Sequence, residues 1–254
     1  MPSPSDTTLL LIQARAPGDP MLDHEASCIR RRLGDRAVRL NPRNALDGAV
    51  GIDALDGMAG VVIGGSGDFS VEHPVSHPWV EPLVALVEEV LRRGMPGFGI
   101  CFGHQLLGRV HGAALLTDHA RREGGTIGLE LTAAGRADPV FGPLKGAFAA
   151  HTGHTDRVAE VPAGLELLAS GDVVETQAFR TVGGTFYSTQ FHPDLTGAEA
   201  GARYAAYRAA LEGKVAPASN SESSAEAGGH FRPGEDATTE LLGRFVDELV
   251  RGPG

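Results

Sequence analysis

Two cysteines stand in this chain of 254 residues, and their surroundings differ. Cys101 lies in Gly99-Ile100-Cys101-Phe102-Gly103-His104-Gln105, where a short apolar run meets G-x-C-x-G and a helical pattern begins at once. A strand–nucleophile–helix turn of this kind lifts one side chain to the C-terminal edge of a sheet. The glycines two residues before and after let the backbone bend sharply. At a helix N-terminus the peptide dipoles favour negative charge, so a thiol there is drawn toward thiolate. Read alone, G-x-C-x-G fits a buried small hydrophobe in a tight turn equally well. Cys28, between Ser27 and Ile29 in a helical stretch, reads as a buried structural thiol.

The balance is tipped by Gln190-Phe191-His192-Pro193-Asp194, which follows an apolar strand pattern over Thr185–Gln190. On an extended segment residues two apart point the same way, so His192 and Asp194 are expected to share a face. A thiol nucleophile needs an imidazole within reach, and the imidazole needs a carboxylate to fix its tautomer. Pro193 stiffens the backbone between them. The acid follows the histidine here, which is not the nucleophile–acid–histidine order of α/β-hydrolases.

Together G-I-C-F-G-H-Q and Q-F-H-P-D resemble the class I glutamine amidotransferase family, whose usual pattern is G-x-C-x-G-x-Q followed far downstream by F-H-P-E. Val61-Val62-Ile63-Gly64-Gly65 is similar to the family's strand and glycine pair, and His154-Thr155-Asp156-Arg157-Val158 to its S-H-x-D-x-V loop. The resemblance covers most of the chain. It implies that Cys101 attacks a glutamine side-chain amide to form a γ-glutamyl thioester, with His192 as base and Asp194 as its orienter. It implies an oxyanion hole from the backbone N–H groups of Gly65 and Phe102, and substrate contacts from Gln105, Thr155 and Asp156. Two departures stand out: Asp194 replaces the usual Glu, one methylene longer, and Gly153 stands where synthetase-type relatives often carry Ser.

Three readings of function follow. The first is a glutaminase or amidotransferase-like enzyme, similar to stand-alone proteins related to the glutaminase domain of GMP synthase, with a separate ammonia-accepting synthetase as partner. The second is a γ-glutamyl peptidase or hydrolase with the same three residues and a larger leaving group. The third is a non-catalytic regulatory protein on the same fold, against which the intact triad argues. No cofactor is expected. His151 and His154 form an H-x-x-H pair without a cysteine or carboxylate at ligand spacing, so no metal is expected either.

These residues need a sheet to position them. Strand patterns at Thr7–Gln13, Val38–Leu40, Ala59–Ile63 and Phe98–Ile100 alternate with helical ones at Met21–Leu33, His77–Arg93 and Phe102–Val110. That order is β-α-β-β-α-β-α, the signature of an α/β, doubly wound, mostly parallel sheet flanked by helices. A smaller antiparallel region is expected from strands at Gly125–Thr132, Ala147–His151, Leu165–Ala169, Glu175–Arg180 and Thr185–Gln190, with Gly183-Gly184 as a hairpin turn. A helix over Ala198–Leu211, an exposed flexible loop at 213–236 and a closing helix at 238–250 complete one expected domain over 1–254.

Composition narrows the setting. The net charge of −10 disfavours a nucleic-acid partner, whose phosphates need a basic surface. No apolar run is long enough to span a membrane. The start lacks the pattern of a secretory leader, and two lone cysteines fit a reducing compartment, so a cytoplasmic enzyme is expected. Arg30-Arg31-Arg32 reads as a solvated helix face, Glu89 and Arg93 as an i, i+4 pair, and His104 as packed under the turn. Asp68, Phe69 and Ser70 are expected at the mouth of the site.

Overall fold

Strand β1, Thr7–Gln13, is apolar along nearly its whole length because both of its faces are covered. Leu9 and Leu11 enter one buried cluster, and Leu10 and Ile12 enter another on the opposite face. Side chains alternate across a strand, so an unbroken apolar run is what a strand between two layers requires. In the computed structural model, which describes residues 7–48, 50–67, 69–72, 77–212 and 230–250, this strand lies inside a nine-stranded sheet.

The chain continues through α1 (Met21–Leu33), β2 (Val38–Asn44), β3 (Gly60–Ile63), α2 (Val80–Arg92), β4 (Gly97–Ile100) and α3 (Phe102–Val110). It then forms β5 (Leu115–Thr117), β6 (Glu123–Leu131), α4 (Ala133–Ala137), β7 (Ala147–His154), β8 (Asp156–Val158) and β9 (Leu165–Gly171). Strands β10 (Ala178–Thr181) and β11 (Phe186–Thr189) precede α5 (Gly197–Glu212) and α6 (Leu241–Phe245). The order across the main sheet is β2-β1-β3-β4-β11-β10-β9-β6-β7. The first five strands run parallel and the remaining pairings are antiparallel. Strands β5 and β8 form a separate antiparallel pair. This is the expected doubly wound α/β sheet, with the antiparallel strands fused to its edge.

Most expected elements fall where the periodicity puts them, and the differences have local causes. Helix α2 starts at Val80, not His77, because Pro78 keeps the residue before it out of helical conformation. It then buries Val80, Leu83, Leu86, Val87 and Val90, each such side chain contributing about 1.5–3 kcal/mol. Strand β10 begins at Ala178, later than Glu175, where its register against β9 shifts. Short β5, β8 and α4 were not expected. The closing segment is not one α-helix: a 3-10 turn over Ala237–Glu240 leads into α6, and Val246–Val250 ends it as a wider π-type turn. Leu241, Leu242 and Phe245 face inward as expected, joined by Val246, while Leu249 is only partly covered.

Of the expected loop at 213–236, residues 213–229 lie outside the described residues. The rest is held against β6 and β7: the Thr126 N–H donates to His230 O at 3.1 Å, and His151 Nε2 meets Asp236 Oδ1 at 2.9 Å. Among the described residues no helix is long and apolar enough to cross a membrane.

Candidate active site

The C-terminal ends of β1, β3, β4 and β11 converge on one cavity, and Cys101 stands in its wall directly after β4. Cys101 is the N-cap of α3 at φ 51°, ψ −95°, a left-handed conformation that side chains other than glycine rarely adopt. Such a residue stores about 1–3 kcal/mol of strain and persists only where its surroundings over-determine it. Here they do. The Cys101 N–H donates to Thr189 O at 2.7 Å, which pins the turn to β11. A Cβ on Gly99 would lie 2.5 Å from Gly103 O, so only glycine lets strand and helix approach this closely.

His192 follows β11, and its N–H donates to His151 O at 2.8 Å. Its Nδ1 meets Asp194 Oδ1 at 3.0 Å. The two do not align along an extended segment as expected. They meet across a turn at Pro193-Asp194, closed by the Leu195 N–H on His192 O at 3.4 Å. Burial pushes the imidazole toward neutrality, but the Asp194 charge and hydrogen bond, aided by the Cys101 thiol, outweigh it and raise His192 to about 9. For Asp194 burial favours the neutral acid, and the charges of Arg203 and then His192 reverse this, holding it well below the usual carboxylate range. Arg203 Nη1 donates to Asp194 Oδ2 at 2.9 Å.

A pH dependence of stability follows. Protonated His192 stabilises the folded state fully below its ordinary value of 6.5, and this contribution is lost as pH rises through about 9. Denaturant midpoints are expected to fall across that window, and the fall to shrink in Asp194→Asn. Equal slopes in the two proteins would place the titration elsewhere.

Gly65 lies beside both Cys101 and His192: a Cβ there would sit 3.0 Å from His192 Cε1 and 3.7 Å from Cys101 Cβ. Its N–H, however, donates to Glu25 Oε1 at 3.2 Å. Glu25 is buried and paired with Arg15 at 2.6 Å, and also accepts from Gln13 Nε2 at 3.0 Å. Phe102 is the first residue of α3, so its N–H has no acceptor within the helix. Both N–H donors of the Gln105 amide are committed, to Asp156 O at 2.8 Å and Gln190 Oε1 at 3.3 Å. Gln190 Nε2 in turn reaches Cys101 Sγ at 3.6 Å. Thr155 joins β7 to β8, and Asp156, the first residue of β8, accepts at Oδ1 from Thr117 Oγ1 at 2.7 Å.

Cys101, His192, Gly65, Gln105, Thr155 and Asp156 border one cavity of about 600 Å³, together with Phe69, Ser70, Arg15, Arg203, Tyr204 and Phe231. Asp68 lies outside the described residues. A second hollow, of about 540 Å³, lies along Asn41–Met58 at the sheet edge, and among the described residues that line it there is no cysteine or histidine. Sequence reasoning missed Arg15, Glu25, Gln190 and Arg203. Only Gln190 carried a signal, as the first residue of the Q-F-H-P-D segment.

The two histidines of the H-x-x-H pair have ordinary partners. His154 Nε2 meets Glu123 Oε2 at 3.0 Å, and His151 is shared between Thr126 and Asp236. Among the described residues no cluster of His, Cys, Asp and Glu is arranged to hold a metal ion. His104 packs under the turn, its Nε2 on Thr176 O at 3.0 Å and its Nδ1 beside Ser188 Oγ at 2.9 Å. Burial lowers it to about 3, so it stays neutral. Burial raises the Cys28 thiol to about 11. The arginine run is less solvated than expected, because Arg31 and Arg32 both pair with Glu199.

The sequence model of the family described as glutamine amidotransferase class-I matches residues 26–209, which span most of α1 through most of α5 and include Cys101, His192, Asp194 and Arg203. The chain belongs to the class I glutamine amidotransferase family. Among curated relatives, the glutamine-hydrolyzing GMP synthase subunit of Sulfurisphaera tokodaii is 33% identical over 115 residues, covering 45% of this chain and 59% of that protein. The protein of the same description from Sulfolobus acidocaldarius is 28% identical over 169 residues, 66% of this chain and 81% of that protein. The match to the first of these thus spans less than two thirds of the relative's length. Among solved structures, a glutamine amidotransferase from Thermotoga maritima superposes with a TM-score of 0.73 at 20% identity, covering 97% of this chain and 99% of that one. At that identity the likeness shows the fold.

Proposed function

We propose that the chain hydrolyses the side-chain amide of glutamine through a γ-glutamyl thioester on Cys101. The observation that carries this reading is the left-handed Cys101 at the start of α3, lining one cavity with His192, whose Nδ1 is held by the buried Asp194. His192, with Nδ1–H held by Asp194 and its proton affinity raised, already holds the proton given up by Sγ at its Nε2, so the sulfur reacts as a thiolate beside an imidazolium. The thiolate attacks the amide carbon, and the oxyanion meets the free N–H of Phe102. Gly65 joins it by exchanging Glu25 for the oxyanion. A donor of this kind contributes on the order of 10²–10³ in rate. The C–N bond then breaks as imidazolium protonates the leaving nitrogen, releasing ammonia. Water, deprotonated by His192, cleaves the thioester to glutamate and restores the thiol. The relatives described as glutamine-hydrolyzing GMP synthase subunits support a further step, delivery of ammonia to a separate synthetase.

One observation favours a second reading. A cavity of about 600 Å³ with Tyr204 and Phe231 in its wall is of a size that accommodates whole drug-like ligands, so γ-glutamyl conjugates with larger leaving groups also fit. Ammonia and glutamate release from glutamine, measured beside cleavage of γ-glutamyl peptides, separates the two. Turnover of glutamine is expected. Turnover of peptides alone would favour the γ-glutamyl hydrolase, and silence on both with Cys101 readily alkylated would remove the hydrolase reading for the chain on its own.

A further inference from the structure

Asp194 is 1% exposed, yet each of its two oxygens has a separate donor. Oδ1 meets His192 Nδ1 at 3.0 Å, and Oδ2 accepts from Arg203 Nη1 at 2.9 Å. Arg203 comes from α5, is 6% exposed, and is itself steadied by its Nη2 at 3.4 Å from His24 Nδ1 on α1. We infer that Arg203 is a positioning residue for the reaction: it keeps the buried Asp194 anionic and turned so that one oxygen receives the His192 Nδ1–H. This rests on the reading of Cys101, His192 and Asp194 as the reacting set.

The argument is one of charge and reach. A carboxylate sealed from water drifts toward its neutral form unless a cation shares the site. His192 supplies a cation only while protonated, so during the half of the cycle in which the imidazole is neutral the second cation must be permanent. Arginine is permanently charged, and its planar fork fixes direction as well as charge. A carboxylate one methylene shorter than the family's usual Glu has fewer ways to reach the imidazole, and the Arg203 bond on Oδ2 leaves Oδ1 as the acceptor. Arg203 Nη1 also lies 3.5 Å from His192 Nδ1; both atoms carry donors, so the contact is repulsive and leaves Asp194 as the shared acceptor. The other charged or titratable groups facing this cluster are His24, Cys28 and Arg31 of α1 and Glu199 of α5.

The test is the pH dependence of Cys101 alkylation by iodoacetamide, mapped by mass spectrometry, with glutamine kinetics alongside. Removing a cation raises the proton affinity of its neighbours, so Arg203→Met is expected to move the Cys101 profile upward by about one pH unit. It is also expected to lower kcat about tenfold or more with little change in KM, as loss of an interaction that matters to the transition state should. Arg203→Lys is expected to restore most of both, and Arg203→Gln replaces Arg203→Met if the latter does not fold. In an Asp194→Asn background, removing Arg203 is expected to shift the profile by less than half as much. An unchanged profile in Arg203→Met or Arg203→Gln, or an equal shift in the Asp194→Asn background, would overturn the inference. Failure of the underlying reading looks different: Cys101→Ala would then keep turnover whatever Arg203 does.

Discussion

Cys101→Ala is expected to abolish glutamine turnover, by a factor of about 10⁴ or more, while leaving the protein folded. In an enzyme whose reacting groups act as a unit, removal of the nucleophile alone costs nearly as much as removal of the whole set, and the residue left over is what binding and the oxyanion donors supply. Structural loss is small for a definite reason. Alanine keeps the Cβ at φ 51°, so the left-handed turn and its hydrogen bond to Thr189 O remain, and Cys101 is only half-buried, lining the cavity at the margin of the core. The polar interactions removed are the 3.6 Å approach of Gln190 Nε2 to sulfur and the contact of the thiol with His192. Unfolding free energy is therefore expected to change by about 0.5 kcal/mol or less. Steady-state ammonia release and denaturant melts on the same preparations check both halves. Retained turnover in a folded Cys101→Ala protein would end the thioester mechanism.

The turn that carries Cys101 was legible because its demands fall on the backbone. Glycines at fixed offsets are required wherever strand and helix approach within a Cβ's reach, as Gly99 shows against Gly103 O. The layered sheet was legible for a similar reason, since β1 must feed Leu9 and Leu11 to one face and Leu10 and Ile12 to the other. What escaped was anything that depends on a partner distant in sequence. Glu25 sits among polar neighbours on α1 and reads as solvent-facing, yet it is 1% exposed because Arg15 and the Gly65 N–H enclose it. Arg203 stands in GAEAGARYAAYRAALE, an alanine-rich helix with no amphipathic stripe to indicate which side is buried. Strands β5 and β8 are three residues each, too short for alternation to register, and only their pairing with one another marks them as strands. The π-type end of the closing segment likewise has no periodic signature in the sequence.

Asp194→Asn is expected to cost about 10³–10⁴ in kcat, and the direction of the amide decides why. Arg203 Nη1 points a donor at Oδ2 from 2.9 Å and cannot turn away without losing its countercharge. The asparagine must therefore offer its carbonyl oxygen to Arg203, which leaves the NH₂ group facing His192 Nδ1. An NH₂ donor there forces Nδ1 to accept and moves the ring proton to Nε2, the atom that should receive the proton from Cys101. That is the wrong tautomer for a base, and the equivalent change in a serine triad costs about 10⁴. The same substitution leaves Arg203 buried without its anion, so a loss of about 3–5 kcal/mol in stability is expected beside the kinetic one. Asp194→Glu, although it restores the family's usual side chain, should not rescue: an added methylene must fit a slot already closed by Arg203 and His192, at a cost of about 1–3 kcal/mol. Rates and melting midpoints of both variants, measured near neutral pH, separate orientation from stability. A kcat for Asp194→Asn within a few-fold of the unaltered protein would mean that some other acceptor holds Nδ1–H, and that the Asp194–Arg203 pair serves the fold alone.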